Sequence, residues 1–144
     1  GQDSYSYIKI PFPSELQVVL AIPEISVVTI EARKLLPSHV PFSEAVFNLT
    51  HTGLFIGACY ANRLDLLGTA MQDQLHQDHS VIEAASKNGA IGVALSGAGP
   101  TIIAFSIIDN IQAVGEGMVS AFATHGIKAQ WLSVSVNNEG YSFA

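Results

Sequence analysis

A chain of 144 residues, 49% of them apolar and only 12% charged, is long enough to bury a sizeable core and too apolar to stay disordered. Its formal net charge of −6 and six scattered Lys and Arg exclude an extended nucleic-acid surface, which needs clustered cations. One cysteine excludes an internal disulfide, and no apolar run is long enough to span a bilayer. One cytoplasmic domain is the expectation, with no membrane or nucleic-acid partner. The start at Gly1, without initiator Met or leader character, predicts an excerpt of a longer protein.

Residues 4–13 hold two prolines among aromatic and polar residues and predict a short strand or edge segment. Residues 16–22, L-Q-V-V-L-A-I between Pro13 and Pro23, predict a buried strand. A short helix is expected over 29–36, capped by Thr29 and stopped by Pro37. Ser43 is the candidate cap of a long helix over 43–61, with Val46, Phe47, Leu49, Leu54, Phe55 and Ala58 as its apolar positions. Gly53 and Gly57 each cost about 1 kcal/mol against Ala in a helix interior, which predicts close packing there. Asn62-Arg63 breaks the pattern before a helix over 64–76, and another is expected over 79–88, closed by Gly89.

Residues 91–95 and 101–107 are apolar runs on either side of Ser96-Gly97-Ala98-Gly99-Pro100-Thr101. A helix over 111–124 with Val114, Met118, Val119 and Phe122 inward follows, then Gly126 and a strand over 127–136. Asn137 to Gly140 predicts a turn, and 141–143 a short return strand. The order of elements predicts an α+β domain: a split β-α-β (ferredoxin-like) antiparallel sheet with helices packed on one face.

Two groups of residues could carry chemistry. The loop 96–101 has two glycines that can take positive φ and leave the backbone bare. Such a loop suits close approach by an anion, and it equally suits a plain hairpin turn. It lacks the Lys-Ser/Thr of a Walker A loop and leads into a strand, and Ser96 does not stand in G-x-S-x-G. Thr29 and Arg33, four apart on one helix face, could hold an anion at the helix start and grip a carboxylate in a two-pronged bond. An ordinary cap and a surface arginine paired with Glu24 or Glu31 would look the same. His76 and His79 are three apart, but no second pair of metal ligands stands near them, so no metal site is assigned. Asp73 and Glu31 are the nearest acidic candidates for a general base, and both read as solvated helix faces.

Taken together, L-S-G-A-G-P-T after an apolar strand, V-V-T-I-E-A-R-K-L-L-P, V-P-F-S-E-A-V-F-N-L, L-L-G-T-A-M-Q-D-Q-L-H-Q and V-N-N-E-G-Y resemble the GHMP kinases, and within them the homoserine kinase branch. The resemblance covers nearly the whole chain. It implies that residues 1–144 form a GHMP kinase C-terminal domain, without the N-terminal ATP-binding domain and its P-x-x-x-G-L-G-S-S loop. It also implies transfer of the ATP γ-phosphoryl group to the hydroxyl of L-homoserine, on the route to threonine. ATP and Mg²⁺ would be bound mainly by the other domain, and the isolated chain would be inactive. The implied partners are L-homoserine, ATP and the N-terminal domain, with a homodimer left open.

Position by position, the resemblance makes Thr29 a catalytic residue near the transferred phosphoryl and Arg33 the ligand of the substrate carboxylate. Ser96, Gly97, Ala98, Gly99 and Thr101 become support for the phosphate-binding loop. After Gln77 the family continues with Pro-Tyr-Arg, and this chain instead runs into Asp78-His79-Ser80, so His76, Asp78 and His79 receive no role. Two other readings remain: a kinase of the mevalonate type, whose substrate also carries a carboxylate, and a non-catalytic small-molecule-binding module.

Overall fold

The computed structural model describes residues 6–25, 38–73, 79–137 and 139. In chain order they form β1 (Gln17–Pro23), α1 (Phe42–Tyr60), α2 (Leu64–Ala70), α3 (His79–Lys87), β2 (Gly92–Leu95), β3 (Ile102–Ser106), a 3-10 turn (Ile108–Asn110), α4 (Ile111–Thr124) and β4 (Ala129–Val134). The predicted helix over 29–36 and the return strand 141–143 fall outside the described residues, as do Thr29 and Arg33.

The strands form one antiparallel sheet in the order β2-β3-β1-β4. That order is the split β-α-β arrangement: β1 lies in the middle, and the chain crosses to the β2–β3 hairpin before returning through α4 to β4. Alternation along β1 divides the sheet into two faces. Val19 and Ala21 join Val93, Ile102 and Ala104 beneath α3 and α4, which contribute Val81, Ala85, Val114, Met118 and Phe122. This is the main core, and the expected α+β domain with its principal helical layer on one face is what the chain builds. The other face is not bare: Leu16, Val18 and Phe105 pack with Ala58 and Cys59 of α1 and Leu67 of α2.

Two close approaches set the helix positions. Gly115 lies so near Trp131 of β4 that a Cβ there would run into the indole, which seats α4 on the sheet edge. Gly68 of α2 faces the Ile91 carbonyl, where a Cβ would sit 2.7 Å from the oxygen. Neither glycine stands out in the sequence, because the groups they meet are distant along the chain.

Four expectations are corrected. The described part of the first segment, residues 6–13, is not a strand; Ile10 and Phe12 instead pack on the second core, with the Phe12 and Phe105 rings 5.0 Å apart. Ser43 is not the cap of α1. Pro41 occupies that place at φ −55 and ψ 140, and its carbonyl accepts from the N–H groups of Glu44 and Ala45. The helix expected over 64–76 ends at Ala70, since the chain turns out at Met71 and Asp73 accepts a hydrogen bond from Asn48 of α1. Gly53 and Gly57 are not packing sites, as a Cβ at either would meet nothing within 4 Å. Correspondingly Val46 and Leu49 are exposed, and the buried residues of α1 are Ala58 and Cys59. An all-round apolar helix has two stripes that could face the core, and periodicity alone does not choose between them.

Candidate functional site

The loop at the end of the β2–β3 hairpin is the part of the predicted site that the structure describes. Its stem is held by the last strand pair, Leu95 opposite Ile102, and by Val93, Ile102 and Ala104 in the main core. The Ser96 N–H donates to the Thr101 carbonyl at 2.8 Å and closes the loop at its base. The Gly99 N–H donates to the Ser96 carbonyl at 3.0 Å. Gly97 and Gly99 adopt φ of 62 and 72, the left-handed region in which a side chain is strained. The Gly99–Pro100 peptide is cis.

The two glycines have different surroundings. A Cβ at Gly99 would lie 3.0 to 3.2 Å from the Leu95 side chain, so this glycine is packed against the stem of its own hairpin. A Cβ at Gly97 would meet nothing within 4 Å. Ser96 and Gly97 are exposed, whereas Ala98, Gly99, Pro100 and Thr101 are half-buried. The loop therefore has a stiff base and a bare tip. Two of its N–H donors are committed internally, those of Ser96 and Gly99. A preorganised backbone of this kind can brace or contact a phosphate without reorganising.

Several of the described residues with ionisable or nucleophilic groups are already engaged. Asp73 is half-buried beyond the end of α2 and not on a helix face, and Asn48 Nδ2 lies 2.5 Å from its Oδ1. That link joins positions 25 apart, and no local pattern announces it. His51, half-buried in α1, stacks on Phe47 at 3.8 Å and has its Nδ1 2.8 Å from the Phe47 carbonyl oxygen. The Arg63 guanidinium makes two bonds, of 2.7 and 2.6 Å, to the Asp65 carboxylate on the surface. Those bonds lower the Asp65 carboxyl below its usual range and raise the guanidinium. Burial pushes the Cys59 thiol up, so it rests protonated and unreactive in the second core.

The structure thus brings Ser96, Gly97, Ala98, Gly99 and Thr101 into one loop, while Thr29 and Arg33 lie outside the described residues. No group of three or more His, Cys, Asp or Glu among the described residues could hold a metal ion. No helix among them is long and apolar enough to cross a membrane.

The family described as GHMP kinases C terminal matches residues 79–117, a span that runs from α3 through the loop into α4. A homoserine kinase of Halothermothrix orenii is 40% identical, covering 97% of this chain and 47% of that protein. One from Carboxydothermus hydrogenoformans is 38% identical, covering 90% of this chain and 44% of that protein. The crystal structure of homoserine kinase from Cytophaga hutchinsonii superposes with a TM-score of 0.84 at 29% identity, over 91% of this chain and 45% of that one. Mevalonate kinase of L. major shares the fold at a TM-score of 0.62 and 19% identity. The chain spans about half the length of the curated relatives it matches.

Proposed function

We propose that this chain, which matches the GHMP kinase C-terminal family over residues 79–117, is the C-terminal half of a homoserine kinase, which transfers the ATP γ-phosphoryl group to the side-chain hydroxyl of L-homoserine. The observation that carries this reading is the near-complete coverage of the chain by relatives named homoserine kinase. The bare-tipped loop supports it. The open space at Gly97 and the internally bonded base suit a brace beside ATP phosphates held chiefly by another half of the enzyme.

In this proposal the protein's part is positioning and charge stabilisation, because phosphoryl transfer leaves little covalent chemistry for side chains to do. Arg33 grips the substrate carboxylate in a bidentate bond, a geometry that a guanidinium matches and an ammonium does not. Thr29 stands beside the transferred group. Ser96 to Thr101 hold the phosphate-binding loop of the other half in place. Mg²⁺ would neutralise the phosphates, and no ligand for it is assigned to the described residues of this chain. A cytoplasmic location accords with these soluble substrates.

The test is Arg33→Ala in the intact enzyme, with KM measured separately for both substrates. Loss of a charge-assisted pair is worth about 1.5–3 kcal/mol, so the KM for homoserine should rise about tenfold to a hundredfold while that for ATP stays within about twofold. Equal effects on the two constants would mean that Arg33 does not read the amino acid.

A further inference from the structure

The first half of α1 is held differently from the second. Ala58 and Cys59 are buried in the second core, and the Phe55 and Phe105 rings stack with centroids 6.4 Å apart. Among the described residues, neither core draws on positions 42–54. The middle of the helix is also a poor strut between its two halves. The Thr50 and Thr52 hydroxyls donate to the Val46 and Asn48 carbonyls, each at 2.8 Å, and back-bonds of this kind bend helices. Gly53 comes next, with its lower helix preference. A tie to another part of the domain stands just before this weak stretch. Asn48 Nδ2 donates to Asp73 Oδ1 at 2.5 Å, beyond the end of α2. Both partners are half-buried, and a carboxylate acceptor makes the bond stronger than one between neutral groups.

We propose that Asn48 and Asp73 are positioning residues for the acceptor substrate: their bond fixes the first half of α1, and through it the segment that carries Arg33. This inference rests on the reading of Arg33 given above. Residues 26–37 join two anchors. The upstream anchor is the end of β1, where Pro23 lies opposite Ala129 and the Glu24 N–H donates to the Lys128 carbonyl at 2.7 Å. Ala21 lies opposite Ile102, so β1 leaves the sheet at the end that carries the 96–101 loop. The downstream anchor is the start of α1. Residues 34–41 alone separate Arg33 from Phe42, and they include Pro37 and Pro41, whose rings limit the backbone. A first half of α1 that swings about its weak middle therefore moves one of the two anchors. A misplacement of about 1 Å at a substrate-holding group can cost about a hundredfold.

A bond placed here is felt in substrate reading more than in folding. Neither partner belongs to a core, so its loss leaves the sheet and both cores in place. Alanine at position 48 also suits a helix better than asparagine does.

The experiment is steady-state kinetics on the intact enzyme, with KM for homoserine and for ATP measured separately and thermal melting alongside. Asn48→Ala and Asp73→Ala should each raise the KM for homoserine about tenfold and leave that for ATP within about twofold. The exchange of Asn48→Asp with Asp73→Asn turns the bond round, and should bring the homoserine KM back to within about threefold of wild type. On an Arg33→Ala background, Asn48→Ala should change that KM by less than about twofold, because the group it positions is gone. Equal rises in both constants, or a lower melting temperature with both constants unchanged, would make the bond purely structural and overturn the proposal. A full effect of Asn48→Ala on the Arg33→Ala background overturns it too, as does an exchange variant no better than the single ones. If Arg33→Ala itself moves both constants alike, the reading of Arg33 falls and this inference with it. A split at Arg33 with none at Asn48 or Asp73 overturns the positioning bond alone.

Discussion

Replacing Gly99 by alanine tests whether the hairpin loop is stiff for the reasons given above. The residue sits at φ 72, where a side chain costs about 1–2 kcal/mol. The new methyl would also lie 3.0 to 3.2 Å from Leu95, close enough that the leucine must shift, at about 1 kcal/mol more. Alanine returns about 0.4–1 kcal/mol by restricting the unfolded chain. The net loss is therefore about 2 kcal/mol.

Gly97→Ala shares the backbone penalty, at φ 62, but meets open space, and its net loss is about 1 kcal/mol or less. Gly53→Ala in the open face of α1 should instead stabilise by up to about 1 kcal/mol, since nothing opposes the helix preference of alanine. Urea unfolding of the three variants, with m-values held common, resolves differences of this size through the midpoint. The order Gly99→Ala, Gly97→Ala, wild type, Gly53→Ala in rising stability is the expected result. Equal losses at Gly97 and Gly99 would refute the claim that Leu95 packs on Gly99.

Gly115→Ala drives a methyl into the indole of Trp131, so it should cost about 1–3 kcal/mol and shift the emission of the only tryptophan in the chain; unchanged emission would mean that α4 does not seat on β4 in this way. Cys59 makes a pH prediction. Burial raises its thiol pKa, so the folded state keeps the proton after the unfolded chain has lost it. Stability should then fall as pH rises past the ordinary thiol value of 9.0, and Cys59→Ala should remove that slope. Denaturant midpoints across the alkaline range measure it, and identical slopes for both proteins would show that Cys59 does not titrate with unfolding.

Much of the fold is legible along the chain because its signals are local. The apolar runs that become β1, β2 and β3 are bounded by prolines and glycines, and α4 carries its stripe of Val114, Met118 and Phe122 in a form that admits one buried face. Gly97 and Gly99 announce positive φ because few other residues take it. The misreadings have two causes, a local competitor in one case and a distant partner in the other. Ser43 has the chemistry of a cap, yet Pro41, with its φ already set, takes the position. Asp73 extends a helical pattern, yet its bond to Asn48 lies beyond the helix end.

The amino-acid order alone determined an antiparallel α+β domain, a glycine-bearing loop between two core strands, and motif stretches specific enough to point to one kinase family. Backbone preference and side-chain period act over a few residues, and a reader of the chain can weigh them in place. Tertiary contact alone decided which stripe of α1 turns inward, why Gly115 and Gly68 have no side chain, and why one glycine of the loop is packed while the other stands open. The first two depend on atoms brought together from separate elements and the third on how the hairpin folds Leu95 onto Gly99, and those energies exist only once the chain has closed around its core.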